Sequence, residues 1–131
     1  VFDSTSFNYI NVLTKAADAS NRRKDIISNN LANVSTPGFK RKDLDFESVL
    51  KRELGNFKYT SLDSKIKDTR LYKLNPVVYT DRSQFSYRLD GNNVDIDTEN
   101  VELASETIKY QTLTQSISSE FNRMRYAMGK S

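Results

Sequence analysis

The sequence predicts a mainly α fold: two long terminal helices forming an antiparallel, coiled-coil-like pair, with a short helix and an extended or β-hairpin segment between them. Three observations carry that prediction. Apolar residues recur at spacings of three and four near both ends of the chain. Turn-forming Pro37-Gly38 and Asp90-Gly91-Asn92-Asn93 steps stand at the inner limits of the two patterns. The stretch between them is basic and holds only short runs of β-type residues. Residues 1–35 and 98–131 are accordingly assigned to the terminal-helix pair. Residues 36–60 form a turn, an extended segment and a short helix, and residues 61–97 a loop or extended segment with a small hairpin.

The first helix is expected from about Ser6 to Val34. Ile10, Leu13, Ala17, Ser20, Lys24, Ile27, Leu31 and Val34 form its seam, and Tyr9, Val12, Ala16, Ala19 and Ile26 widen it onto an adjacent face. A single partner helix would not cover both faces. Arg22-Arg23-Lys24 reads either as a solvated face with Lys24 snorkelling or as a contact with acidic neighbours in an assembly.

Asn29, Asn30 and Asn33 crowd the last turns. Their amides compete for backbone groups, and an ordinary solvated helix end needs one of them rather than all. They are expected to bond laterally to something docked there. Thr36 precedes a proline and is pushed out of the α region, Pro37 pre-sets its own φ, and Gly38 supplies the positive φ of a type II turn.

From Phe39 to Phe46 the chain reads as extended, with Leu44 and Phe46 on one side and Lys40, Arg41 and Lys42 as a solvated charge cluster. Asp45 reads as the N-cap of a short helix whose face is Phe46, Val49, Leu50 and Leu54, ended by Gly55. Val77 to Thr80 and Phe85 to Leu89 make the two strands of a hairpin. Ser61 to Thr69 reads as a mobile loop.

Asp90, Gly91 and Asn92 form a turn, and Asp97 is read as the N-cap of the second long helix, with Glu99 and Glu102 near the positive end of its dipole. Asp95, Asp97, Glu99 and Glu106 also fall at calcium-loop spacing. Asn100 stands where such a loop needs glycine, however, and the helical pattern has already begun, so capping is preferred and no metal is assigned. The helix then runs to about Met128, with Leu103, Thr107, Tyr110, Thr114, Ile117, Phe121, Met124 and Met128 in the seam and Val101, Ala104, Ile108 and Leu113 outside it. Its remaining surface is neutral and polar, unlike the Lys- and Glu-rich face of a free-standing surface helix.

Composition narrows the function classes. An apolar fraction of 37% is low for a chain that buries a full core of its own. With no Cys and no His, most nucleophile–base pairs, the usual zinc sets and any disulfide framework are excluded, so neither enzyme activity nor a cofactor is expected. A net charge of +3 is too small to argue for nucleic acid, and Phe39 alone supplies no stacking platform beside Lys40 to Lys42. No apolar run approaches a membrane span, and the first residues show no cationic-then-apolar secretory pattern.

The terminal helices together with Ser28-Asn-Asn-Leu-Ala-Asn-Val-Ser-Thr-Pro-Gly-Phe-Lys40 resemble the N-terminal signature of the bacterial flagellar rod and hook family, S-N-N-(I/L)-A-N-x-x-T-P-G-(F/Y)-(K/R). Leu89-Asp-Gly-Asn-Asn-Val-Asp-Ile-Asp97 and the helix through Ile108 to Gln111 look like the short proximal rod members, whereas distal rod and hook members insert large β-rich domains. A neighbouring proximal rod type sharing the Asp-Gly-Asn-Asn element is the alternative. The resemblance implies a non-enzymatic subunit of the flagellar drive shaft in the periplasm, packed helically around an export channel. It implies export by the flagellar type III apparatus without a cleaved signal. The partners implied are copies of itself, other rod proteins, and the membrane-embedded basal-body ring with its adaptor, and not nucleic acid. The subunit interface is expected at Ile27, Asn29, Asn30, Leu31, Asn33, Thr36, Pro37, Gly38 and Phe39, and along Leu103, Tyr110, Ile117, Phe121 and Met124. The competing class is a basic coiled coil touching nucleic acid or acidic lipid.

Overall fold

A computed structural model describes residues 4–55, 61–82 and 88–129. Helix α1 spans Ser4–Ala32 and α4 spans Ile96–Ala127, rods of about 43 and 48 Å at 1.5 Å per residue. Between them come strand β1 (Lys42–Asp45), helix α2 (Glu47–Leu54), helix α3 (Leu62–Asp68), a single 3₁₀ turn (Leu71–Lys73) and strand β2 (Val77–Thr80). The mainly helical pair with a small two-stranded middle is the expected architecture.

The two apolar faces of α1 have different partners. The face carrying Ser20 and Lys24 meets α4: the Ser20 hydroxyl donates to the Glu106 carbonyl at 3.4 Å, and the Lys24 ammonium lies 5.0 Å from the centre of the Tyr110 ring. The face of Tyr9, Val12, Ala16, Ala19 and Ile26 packs against Leu44 and Phe46 at β1, Leu50 and Leu54 of α2, Ile66 of α3, and Leu71 and Leu74. The second face of α1 is therefore covered by the chain's own middle segment. Helix α4 differs: its only fully buried side chains among the described residues are Glu99 and Glu106.

The middle segment departs from expectation at three places. Ser61 to Thr69 is not a loop, because Ser61 caps α3 by accepting from the Ser64 amide, and Ile66 is buried on α1's neighbours. Strand β2 pairs not with a following strand but with β1, antiparallel, in the register Lys42 with Thr80 through Asp45 with Val77. Phe85 and Tyr87 of the expected second strand lie outside the described residues, and Leu89 is a solvent-exposed turn residue. The ladder continues past its end, since the Asp81 amide donates to the Arg41 carbonyl at 2.8 Å. An edge buried on one side by Leu44 thus recruits a partner distant in sequence.

The caps also shift. Asp95, not Asp97, caps α4, accepting from the amides of Asp97 and Thr98. Phe46 is the formal start of α2, while the Asp45 carboxylate still accepts from the Ser48 amide at 3.0 Å. Gly55 ends α2 at φ +73°, as expected.

Candidate functional site

The two turns singled out in the sequence meet in space. The Phe39 amide donates to the Thr36 carbonyl at 3.2 Å, closing the Pro37-Gly38 turn with Gly38 at φ +72°. The Gly38 amide then donates to the Asp90 carbonyl at 2.7 Å, and the Asn93 amide to the Phe39 carbonyl at 3.3 Å. Gly91 is at φ +76°, and a methyl group there would lie 3.9 Å from Gly38 Cα, so the two turns touch backbone to backbone. Lys40 adds a bond from its ammonium to the Gly91 carbonyl.

Buried amides hold this junction. Asn92 is fully buried, and its side-chain NH₂ donates to the carbonyls of Asn33, Val34 and Thr36 at 2.9, 3.0 and 2.9 Å. Those carbonyls belong to the turn that follows α1, where they also accept from the Thr36 amide, Arg88 and the Phe39 amide, so one side chain from the second turn binds the first turn at three points. Asn30, also fully buried, donates to the Lys42 carbonyl at 2.7 Å and accepts from the Lys42 amide at 2.9 Å, imitating a strand partner for β1. It also donates to Glu99. Asn93 closes the set, accepting from the Arg41 amide and donating to the Asp81 carbonyl. Of the three amides at the end of α1 only Asn30 is docked, by this chain's own β1; the Asn33 side chain donates to Asn29 and accepts from Thr36, a local set rather than a lateral one.

Beside the amides lies a charge network. Arg23 reaches Asp43, Glu102 and Glu106, each at 2.8 Å, joining α1 to β1 and α4. Arg41 joins Asp43, Asp81 and Glu99. The hydrogen bond to Asp43 pushes the Arg23 guanidinium up against the opposing pull of burial, and Glu106 and Glu102 reinforce it. For Arg41, burial pulls down, but Glu99 and Asp43 outweigh it and the group is raised. For Asp43, burial pushes up, yet Arg23, the Leu44 amide and Arg41 together hold the carboxyl below its ordinary range. Arg23 and Arg41 are thus neither solvated nor waiting for an external acidic neighbour. Only Arg22 and Lys42 of the two basic runs are fully exposed.

The expected interface residues divide. Ile27 and Asn30 are covered by the chain itself. Leu31, Asn33 and Phe39 are half-buried; Asn29, Thr36, Pro37 and Gly38 are exposed. On α4, Leu103, Tyr110, Ile117 and Met124 are half-buried and Phe121 is exposed, while Asp90 and Gly91 are half-buried in the junction and Asp97 is exposed.

Sequence reasoning missed the network of Arg23, Arg41, Asp43, Glu99 and Glu106. A signal was present: Glu99, Glu102 and Glu106 follow one another by three and four, an acidic stripe on one helix face. Such a stripe reads as dipole compensation until its cationic partners, far off in sequence, are known.

Residues 10–40, most of α1 and the turn that follows it, match the family model described as flagella basal body rod protein. Over nearly the whole chain the sequence is similar to curated relatives. The flagellar basal body rod protein FlgB of Bacillus subtilis is 31% identical over 125 residues, 95% of this chain and 93% of the relative. The FlgB of Buchnera aphidicola is 33% identical, covering 93% of this chain and 98% of its own length, and that of Proteus mirabilis is 32% identical over 84% and 85%.

Proposed function

The chain belongs to the family of flagellar basal body rod proteins, and from that premise we propose that it is a proximal rod subunit that polymerises helically around the export channel and transmits motor torque. It is a structural protein of the basal body, assembled with other rod proteins. One observation supports polymerisation above all others: α4 buries two glutamates and leaves Val101 and Ile108 69% and 64% exposed, with Phe121, Tyr126 and Met128 exposed further along. Apolar surface of that extent on a long rod is suited to neighbouring subunits.

In this reading residues 1–35 and 98–131 are the polymerising pair, and 36–60 and 61–97 form its cover. Asn29, Asn33, Thr36, Pro37, Gly38 and Phe39 sit at a subunit junction with Leu31, Leu103, Tyr110, Ile117, Phe121 and Met124 along the seam. Ile27, Asn30 and Asn92 support that junction from within. The chain reaches the periplasm through the flagellar type III apparatus without a cleaved signal and meets the membrane ring and its adaptor at the rod base.

The test is a Val101→Glu, Ile108→Glu double variant in cells lacking the native chain. Expected are normal helix content and expression, no rod in isolated basal bodies and no swimming. Wild-type rods and motility would overturn the proposal.

A further inference from the structure

A cleft of about 350 Å³ opens between α1, the β1–α2 corner, Tyr79 of β2 and the middle of α4. Its walls are apolar, with Ala16, Ala19, Leu44, Phe46 and Leu50. Four carboxylates line it, Asp43, Asp45, Glu47 and Glu106, against two cations, Arg23 and Lys109. Both cations are already engaged, Arg23 by Asp43 and Glu106 and Lys109 by Glu47 at 2.6 Å. Asp43 and Glu106 are buried in ion pairs of their own, so the cleft is greasy inside and its acidic rim is Asp45 with the Lys109-paired Glu47.

The last turns of α4 have the opposite charge and the same apolar character. Phe121, Tyr126 and Met128 are 50%, 79% and 56% exposed. From Phe121 onward the charges are Arg123, Arg125 and Lys130, with no carboxylate. Arg123 pairs with Glu120, just upstream of Phe121, at 2.8 Å, whereas Arg125 donates to the neutral side chain of Asn122. This end cannot fold back into its own cleft. Lys109 and Tyr126 belong to one continuous helix and stand about 25 Å apart along it.

On the reading that the chain is a rod subunit, we infer that the basic, aromatic end of α4 in one copy seats in the acid-rimmed cleft of the next. The contact joins unlike patches, so each copy in a row keeps one free cleft and one free end. Heterologous contacts of that kind build open helical arrays when the rotation does not close a ring. The distance between end and cleft on one helix sets the stagger between parallel neighbours at about 25 Å.

The chain has no cysteine, so an introduced pair reports cleanly. Glu47→Cys at the cleft mouth and Tyr126→Cys at the helix end are both at exposed positions. The two variants, differently tagged, are coexpressed and their basal bodies oxidised. Expected is a disulfide dimer of twice the 15.1 kDa chain carrying both tags, about tenfold over either same-variant dimer. Rods without that excess overturn the inference and leave the rod assignment standing. Normal rods in cells deleted for this chain would instead overturn the rod assignment. Should the cysteines block assembly, charge reversal decides. Arg123→Glu with Arg125→Glu is expected to abolish rods, and adding Asp45→Lys and Glu47→Lys to restore them. Failure of restoration overturns the inference.

Discussion

Where α1 stops and α4 starts, Asn30, Asn92, Arg23, Glu99 and Glu106 lie buried or nearly so, each bonded to groups from other elements. At the other end of the same helix pair, the α4 side chains from Phe121 to Met128 stand mostly in solvent. There the cross-links to the middle segment thin out to bonds such as that from the Tyr9 phenol to Asp63 at 2.7 Å, which pushes the phenol up to about 12. One end is cross-linked through polar groups that are useless unless all are present. The other leaves Phe121, Tyr126 and Met128 in solvent, the surface that the proposed polymer would cover. On that proposal stability and assembly are segregated along the rods, and variants at the two ends are expected to fail differently.

The largest effect is expected at Arg23. Arg23→Ala leaves the buried Glu106 without its ion-pair partner and Asp43 with Arg41 alone, which costs about 3–5 kcal/mol. Against a typical stability of about 5–15 kcal/mol, a urea midpoint should fall by about a fifth or more. An unchanged midpoint would mean the network is ornamental. Asn92→Ala comes next, at about 1–3 kcal/mol, since it removes a buried side chain that bonds three carbonyls of the turn after α1. Its amide-exchange signature should be local, with protection lost first at residues 30–39.

Gly38→Val follows at about 1–2 kcal/mol. No atom lies within 4 Å of the new Cβ, so the cost is the strain of a branched residue at φ +72° rather than a clash. Gly38→Ala should recover part of the loss in the same melt. The smallest effect is expected at the open end. Phe121→Ala and Tyr126→Ser should each stay within about 0.5 kcal/mol of wild type in the monomer and still reduce rod yield. A large monomer destabilisation there would erase the distinction between the ends.

Acid should act on the closed end through Asp43. The folded Asp43 carboxyl is held below its unfolded value, so its contribution is present at neutral pH and lost as pH falls through that lowered value. Urea midpoints should drop below the ordinary carboxylate range, and Asp43→Asn should flatten that slope.

The long helices were legible because each repeats one spacing over many turns, and the Pro37-Gly38 turn because only a few residue types fit its dihedrals. The short helix was legible from Phe46, Val49 and Gly55. The partner of Val77 to Thr80 was not, because strand pairing is a tertiary choice and β1 lies some thirty residues earlier. Ser61 and Asp63 were cap signals passed over amid lysines. The charge network was illegible for a similar reason. Arg23 looks like solvent-facing decoration until the fold brings Asp43 and Glu106 to it, and Asn30 looks like a docking group until β1 lies alongside.

The link from Gly38 to Asp90 and the bond from Arg23 to Glu106 each bridge residues far apart in the chain. Closing such loops precedes any reward from them, so topology of this kind slows the search for the native state. A freshly made polypeptide lacking its final third has no Asn92 to bind the turn after α1 and no Glu106 to neutralise Arg23. Such a chain lacks both locks, so the long N-terminal rod is expected to be pinned only when the second turn and the start of α4 have been made.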